Sequence, residues 1–417
     1  MSKAKELIPK TRFPEYTYKW DETSLGEIST IVKEKAGKQK YLLMSVTSGV
    51  GLVPQTEKFG KEIAGDSYKN YTVIQKYDFA YNKSSTKQFP EGYISMLHDY
   101  EAAAVPNSIF TCFRIADHKG YPLFFEYLFR SNYHGRWLRK YIEVGARAHG
   151  ALSVNTKHLW SMPIALPCFE EQKKIAECLS SSDALISAES KKLEALIKYK
   201  KGLMQKLFPT KDKKLPEWRF PEFKNGASWK RKLFSDILEI MMCKRIFADE
   251  TNTTGGVPFY KIGTLGGKPD CFISQSVFEE YKTKYNYPRK GEILISCSGT
   301  VGRCIQYDGS DAYFQDSNIV WADNPTLEIN NNLLFHLLSN VNWNKLNSTT
   351  ITRIYTFDLK KLILVFPEDP CEQQKIAACL SEIDSFITAQ SDKVENLKAH
   401  RKGLMQQLFP SLEETEA

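Results

Sequence analysis

Four short stretches gather the residue types that hydrogen-bond to phosphates and base edges. Tyr81-Asn-Lys-Ser-Ser-Thr-Lys87 sets amide, hydroxyl and ammonium groups side by side, and Gly145-Ala-Arg-Ala-His-Gly150 puts Arg147 and His149 on a Gly-flanked turn. Ser296-Cys-Ser-Gly-Thr-Val-Gly-Arg303 and Thr349-Thr-Ile-Thr-Arg353 have the same character. Arg reads guanine edges through two hydrogen bonds and Asn or Gln reads adenine, while Ser, Thr and backbone N–H groups hold phosphates. The candidate nucleic-acid contacts are Asn82, Lys83, Ser84, Lys87, Arg147 and His149 in the first half. In the second half they are Lys261, Ser298, Thr300, Arg303, Thr352 and Arg353. Each loop alone also fits a merely solvated loop. Their presence in both halves favours binding.

Catalytic patterns are missing. Asp323-Asn-Pro-Thr326 is the nearest string to an amino-methyltransferase motif, and it lacks the aromatic that would stack on a flipped base. No His-Glu-x-x-His or Gly-x-Ser-x-Gly occurs. Glu368, Asp369 and Lys375 could suggest a nuclease set, but acids at that point suit the positive end of the helix they open. Gly299-Thr-Val-Gly302 hints at a phosphate nest without the Gly-Lys-Ser/Thr of a P-loop. Nine scattered cysteines with no Cys-x-x-Cys pair read as reduced thiols in a cytoplasm and as no metal site.

The elements that position these loops come from a duplication. Residues 170–209 and 371–410 align without a gap at an offset of 201 and agree at 23 of 40 positions. Both run from Glu-Gln-x-Lys-Ile-Ala to Leu-Phe-Pro. An echo opens each copy: Arg12-Phe-Pro-Glu15 and Trp20 return as Arg219-Phe-Pro-Glu222 and Trp229. The apolar seam is Ile175, Leu179, Ile186, Leu193, Leu196, Leu203 and Leu207 in one copy. In the other it is Ile376, Leu380, Ile387, Val394, Leu397, Leu404 and Leu408. Steps of three and four keep one helix face toward a partner helix. Proline is absent inside and terminates both stretches, so each predicts one helix of roughly 60 Å. Two like seams in one chain are expected to cover each other. An antiparallel pair would create a pseudo-twofold axis, with Glu189/Gln390 and Lys200/Arg401 as candidate register-setting sites.

The middle segments barely resemble each other. Tyr77–Asn82 matches Gly291–Ser296, and Leu159–Pro167 matches Leu359–Pro367, only in outline. Strand-like runs, and helical ones at Leu123–Phe129 and Leu333–Leu338, predict small α+β domains. The expected fold is α+β, two such domains joined by two long antiparallel coiled-coil helices. Expected boundaries are 1–167, 168–209, 210–367 and 368–410, with a tail at 411–417. The length of 417 residues supports this many parts. A net charge of +8 permits a polyanion partner without requiring one. The start shows no signal-peptide core, and the longest aliphatic run near the repeat ends, Leu362–Phe366, is far short of a membrane span.

Taken together, the duplicated Glu-Gln-x-Lys-Ile-Ala segments, the two Leu-Phe-Pro endings and the paired Arg-Phe-Pro-Glu entries resemble the specificity subunit of type I restriction-modification systems. The resemblance spans essentially the whole chain. It implies a non-catalytic subunit whose two target-recognition domains each read half of a split, asymmetric site in double-stranded DNA. The helices would set the unread gap and dock two modification subunits. No cofactor is expected on this chain; S-adenosylmethionine, ATP and Mg2+ belong to the modification and restriction subunits. The alternative is a stand-alone architectural or regulatory DNA-binding protein.

Overall fold

The computed structural model describes residues 9–47, 49–142, 152, 155–210, 213–343 and 353–410. The chain folds as two compact units, Met1–Ser190 with Asp392–Ala417, and Lys191–Ser391. Each unit holds one middle segment, the first half of the long helix that follows it, and the second half of the other long helix.

The helices are Phe169–Leu207 and Pro370–Leu408, each 39 residues long. Proline opens the second at its first turn, where no intrahelical N–H is needed, and the Asp369 carboxylate accepts the Cys371 N–H at 2.8 Å. All fourteen predicted seam residues are buried or half-buried. Their outer neighbours Leu185, Ile197 and Phe386 are exposed.

Despite their unlike sequences, the middle segments share a sheet. In the first unit the strand order is Ser29–Ile31, Phe110–Ile115, Phe79–Asn82, Tyr93–Met96, all neighbours antiparallel. In the second it is Glu239–Met241, Ile319–Asp323, Ile293–Ser296, Cys304–Gln306, again antiparallel throughout. Entry and exit strands also pair in both, Asp21–Ser24 with Pro163–Leu166 and Trp229–Leu233 with Ile363–Pro367. The units differ in their outer sheets. The first has two two-stranded pairs, and the second a four-stranded sheet with one parallel pair.

The predicted helices are present as Pro122–Arg130 and Asn331–Ser339, and each covers its sheet with a buried apolar face. In the first core, Phe79 stacks on Phe113 at 5.3 Å and Phe129 meets both rings edge-on. Ile175, Leu179, Met405 and Leu408 complete that core, and Met204, Leu207, Ile376 and Leu380 occupy the matching places in the second. Each core is therefore sealed by the start of one long helix and the end of the other.

Polar pairs explain the close copying of the helical segments. Glu171 is fully buried and accepts from the Arg12 guanidinium at 2.6 and 2.7 Å and from the Trp20 indole N–H at 3.1 Å. Glu372 does the same for Arg219 at 2.7 and 2.6 Å. The next residue, Gln172 or Gln373, donates to the carbonyl of Pro167 or Pro367 and accepts the N–H of Tyr121 or Asn330. The Glu-Gln motif is thus a clamp between entry segment, middle segment and helix. Its buried acids each answer an arginine as well as the helix dipole.

Cross-helix pairs sit in both units. In the first, Asp183 binds Arg401 and Glu189 binds Lys393 at 2.6 Å. Rising numbers on one helix meet falling numbers on the other, so the pair is antiparallel. In the second, Lys200 binds Asp384 at 2.5 and 2.6 Å. Asp183 and Asp384 are themselves 201 residues apart, as are Lys200 and Arg401. The same charge pair is made twice with the helices exchanging roles. Gln390 is buried.

Candidate nucleic-acid interface

The polar loops of the second unit grow from the end of the strand Ile293–Ser296. The Ser296 hydroxyl accepts the Arg303 N–H at 3.0 Å and donates to the Thr300 carbonyl, closing the loop on itself. Gly302, at φ +78°, packs so closely on Trp343 that a Cβ would lie 2.0 Å from the ring. The N–H groups of Val301, Gly302 and Arg303 are used in these turns, so the loop is a structural turn and not an open phosphate nest.

Several polar side chains converge on the turn 315–318. Ser298 donates to the Asn318 amide oxygen at 2.8 Å, and Arg353 donates to the Ser317 carbonyl at 3.4 Å while lying over Tyr355. Ser298 and Arg353 form a β-bridge. Lys261 is exposed at the head of a turn joined to this region through Gln315, whose side chain accepts the Ile262 N–H. Thr300 and Arg303 are exposed, and Arg303 reaches the Gly266 carbonyl at 3.5 Å. Thr352 lies outside the described residues. Lys244, Arg245 and Lys284, which the sequence reading passed over, line an adjoining hollow of about 470 Å3 with Asp316. Arg245 pairs with Asp316 at 2.8 Å. The Lys244-Arg245 doublet was a visible signal, whereas Lys284 carried none.

In the first unit Asn82 is nearly buried, and its side-chain oxygen accepts the Ser84 N–H at 3.0 Å. Asn82 and Ser84 line a groove of about 640 Å3 together with Ser45, Thr47, Gln55 and Lys58, none of which the loop pattern pointed to. Lys58 donates to the Val46 carbonyl at 2.7 Å, and burial lowers its pKa. Lys83 is half-buried and Lys87 exposed. Arg147 and His149 lie outside the described residues. One bond places the nearest described residue: the Leu152 N–H donates to the Lys83 carbonyl at 2.8 Å. The second unit repeats it, with Ile354 N–H donating to the Cys297 carbonyl at 2.8 Å. In both units the loop after the central strand is held against the segment that leads to the last short helix.

Catalytic chemistry finds little footing among the described residues. Burial pushes the Cys112, Cys243 and Cys304 thiols up to about 12 and Cys297 to about 11, leaving no thiolate there near neutral pH. Among the described residues no cluster of three or more potential metal ligands occurs. Lys375 pairs with Glu222 and Asp369 caps the helix, so the carboxylate–lysine set is structural. Among the described residues no helix is long and apolar enough to cross a membrane.

Two copies of one α+β unit, each sealed by an antiparallel helix pair and each presenting its own polar surface, make a tandem α+β scaffold. The family model described as type I restriction modification DNA specificity domain matches residues 18–198 and 227–399, and the chain belongs to this family. It is 45% identical over 162 residues to a Haemophilus influenzae protein described as a specificity subunit of a type I restriction enzyme. That match covers 39% of this chain and 41% of the relative. It is 27% identical over 289 residues to the type I restriction enzyme MjaVIII specificity subunit of Methanocaldococcus jannaschii, covering 64% and 66% of the two chains. The fold is shared with the S subunit of a type I restriction-modification system from M. genitalium, at TM-score 0.61 and 15% identity, covering 97% of this chain and 99% of that one. A second solved chain, from a study of assembly and conformational transition in a type I system, matches at TM-score 0.56 and 17% identity over 94% and 97% of the two chains.

Proposed function

We propose that this chain is the DNA-reading subunit of a type I restriction-modification complex, without catalysis of its own, and that its two units each read one half of a bipartite, asymmetric site. The observation that carries the proposal is the contrast between scaffold and surface. Helices, clamps and central sheets repeat between the copies, while most candidate contacts on that common frame differ; the matching Ser84 and Ser298 are the exception. Asn82 and Ser84, with Gln55 and Thr47, offer amide and hydroxyl groups in the first unit. The first also carries Lys58, Lys83 and Lys87, and the second carries Lys261, Arg303 and Arg353, so cations stand on both but at different points of the frame. Two unlike surfaces on like frames suit two unlike half-sites.

The helices have a separate role in this proposal. Leu185 and Phe386 occupy matching positions 201 residues apart, and both are exposed apolar side chains on the outer faces of the long helices. Matching apolar sites suit two identical partners, the modification subunits, which would bring S-adenosylmethionine. The restriction subunits would bring ATP and Mg2+.

Replacing residues 229–366 with a second copy of residues 20–166, and coexpressing the chain with its methylase, tests the half-site assignment. The modified motif should become palindromic, keeping one original half and losing the other. An unchanged motif would refute it.

A further inference from the structure

The first unit carries a cationic cavity that neither the reading loops nor the apolar helix sites account for. It encloses about 450 Å3 and is lined by Lys10, Arg130, Arg136, Arg401 and Lys402, with no carboxylate in its wall. Arg130 ends the helix Pro122–Arg130, Arg136 lies on Tyr133–Leu138, and Arg401 and Lys402 lie on the second long helix. The arginines are held in place. Arg130 and Arg401 each reach Asp183 at 3.2 Å from opposite elements, and each lies over the Tyr127 ring, at 5.5 and 6.0 Å. Arg136 lies over Tyr133 at 5.9 Å. Ordering by shared carboxylate and ring contacts removes much of the entropy a flexible cation loses on binding.

Internal comparison shows which part of the cavity is special. The helix wall is repeated: Arg401, Lys402, Met405, Gln406 and Phe409 correspond to Lys200, Lys201, Met204, Gln205 and Phe208. The facing wall is not. The helix that ends on Arg130 in one copy ends on Ser339 in the other. Lys10, two residues before Arg12, corresponds to Glu217, two residues before Arg219. The facing cations Lys10 and Arg130 therefore belong to the first copy alone and do not follow from the duplicated helix.

We propose that this cavity is a phosphate site that takes two or more linked phosphate groups. Guanidinium groups match phosphate oxygens in bidentate geometry, and a volume of about 450 Å3 exceeds what a lone oxyanion needs while falling within the range of small-molecule sites. The phosphates can come from a free nucleotide or from consecutive links of a nucleic-acid backbone. The inference does not depend on which DNA sequence the loops read.

Titration of inorganic tripolyphosphate into the full chain, followed by calorimetry at low salt, tests it. One saturable site per chain is expected. Lys10→Gln with Lys402→Gln, both exposed positions, should weaken it at least tenfold, and adding Arg136→Gln should abolish it. Lys201→Gln, the second-copy counterpart of Lys402→Gln, should leave it unchanged, with circular dichroism confirming the fold of each variant. Competition then separates the sources. Displacement of tripolyphosphate by duplex DNA of any sequence assigns the backbone, and displacement by a nucleoside triphosphate but not by duplex assigns a free nucleotide. Absence of saturable binding, or equal binding by the triple variant, would overturn the proposal. So would loss of binding in Lys244→Gln with Lys284→Gln instead.

Discussion

Substituting Glu372→Ala removes the acid at the centre of the second clamp. The Glu372 side chain has no exposure and the Arg219 side chain only 8%, so water cannot replace the lost carboxylate. The guanidinium keeps the Ala227 carbonyl at 2.8 Å and a weaker contact to the Gly226 carbonyl at 3.4 Å. Breaking a buried pair by deleting one partner costs about 3–5 kcal/mol, and the surviving carbonyl bond places this case near the lower figure. For a unit of this size, about 3 kcal/mol lowers the melting temperature by roughly 6–12 °C. The equivalent change in the first copy, Glu171→Ala, should cost less. Arg12 is 21% exposed and regains water, although the Trp20 indole N–H loses its acceptor. Scanning calorimetry of the full chain, with urea unfolding as a check, reads both. Replacing both members, Arg219→Met with Glu372→Met, should recover most of the loss because no charge is left buried. A shift below about 2 °C for Glu372→Ala, or no recovery in the double variant, would refute the clamp reasoning.

Three further outcomes follow from the same structure. Lys200→Asp should destabilise the second unit and Asp384→Lys should restore it, with a coupling of about 1–2 kcal/mol in a double-mutant cycle; additive effects would show that the pair does not set register. Burial holds the His134 and His336 imidazoles at about 4 in the fold, against an ordinary value near 6.5. The unfolded chain therefore binds more protons between those values, so stability is complete above about pH 6.5 and falls toward pH 4 by up to about 1.4 kcal/mol per pH unit for each histidine. Urea titrations should show this slope lessened in His134→Gln; an identical slope would mean His134 takes up protons equally in the folded and unfolded states. Arg353→Ala should relax one position of one half-site at a cost of about 1–3 kcal/mol, read by modification of a randomised-site library. A uniform loss over all sites would make Arg353 a phosphate contact.

Much of the scaffold was legible because periodicity and duplication are local properties of a sequence. The seam positions, the proline stops and the 201-residue offset all survive into the structure. The clamps were visible only as motifs. Arg12 and Glu171 are far apart in the chain, and nothing in either stretch says that one charge is buried against the other. Asp183 and Asp384 were missed for a similar reason: they stand beside the apolar seam and matter only once an antiparallel register brings a cation to each. The common sheet showed only in outline: Phe79–Asn82 and Ile293–Ser296 match in pattern and share burial and topology but no residue identity. The candidate interface was legible where polar residues cluster along the chain, as at 82–87 and 296–303. Gln55, Lys58 and Lys284 reach their surfaces through tertiary folding, which loop composition does not encode.

The most direct test is sequencing of modified adenines in DNA from a host that carries this chain with its methylase. A chain with two unlike reading units on one frame predicts a single bipartite, asymmetric motif, modified in both halves and separated by a fixed unread gap. A contiguous motif, a gap of variable length, or no modified adenine dependent on the chain would contradict that reading.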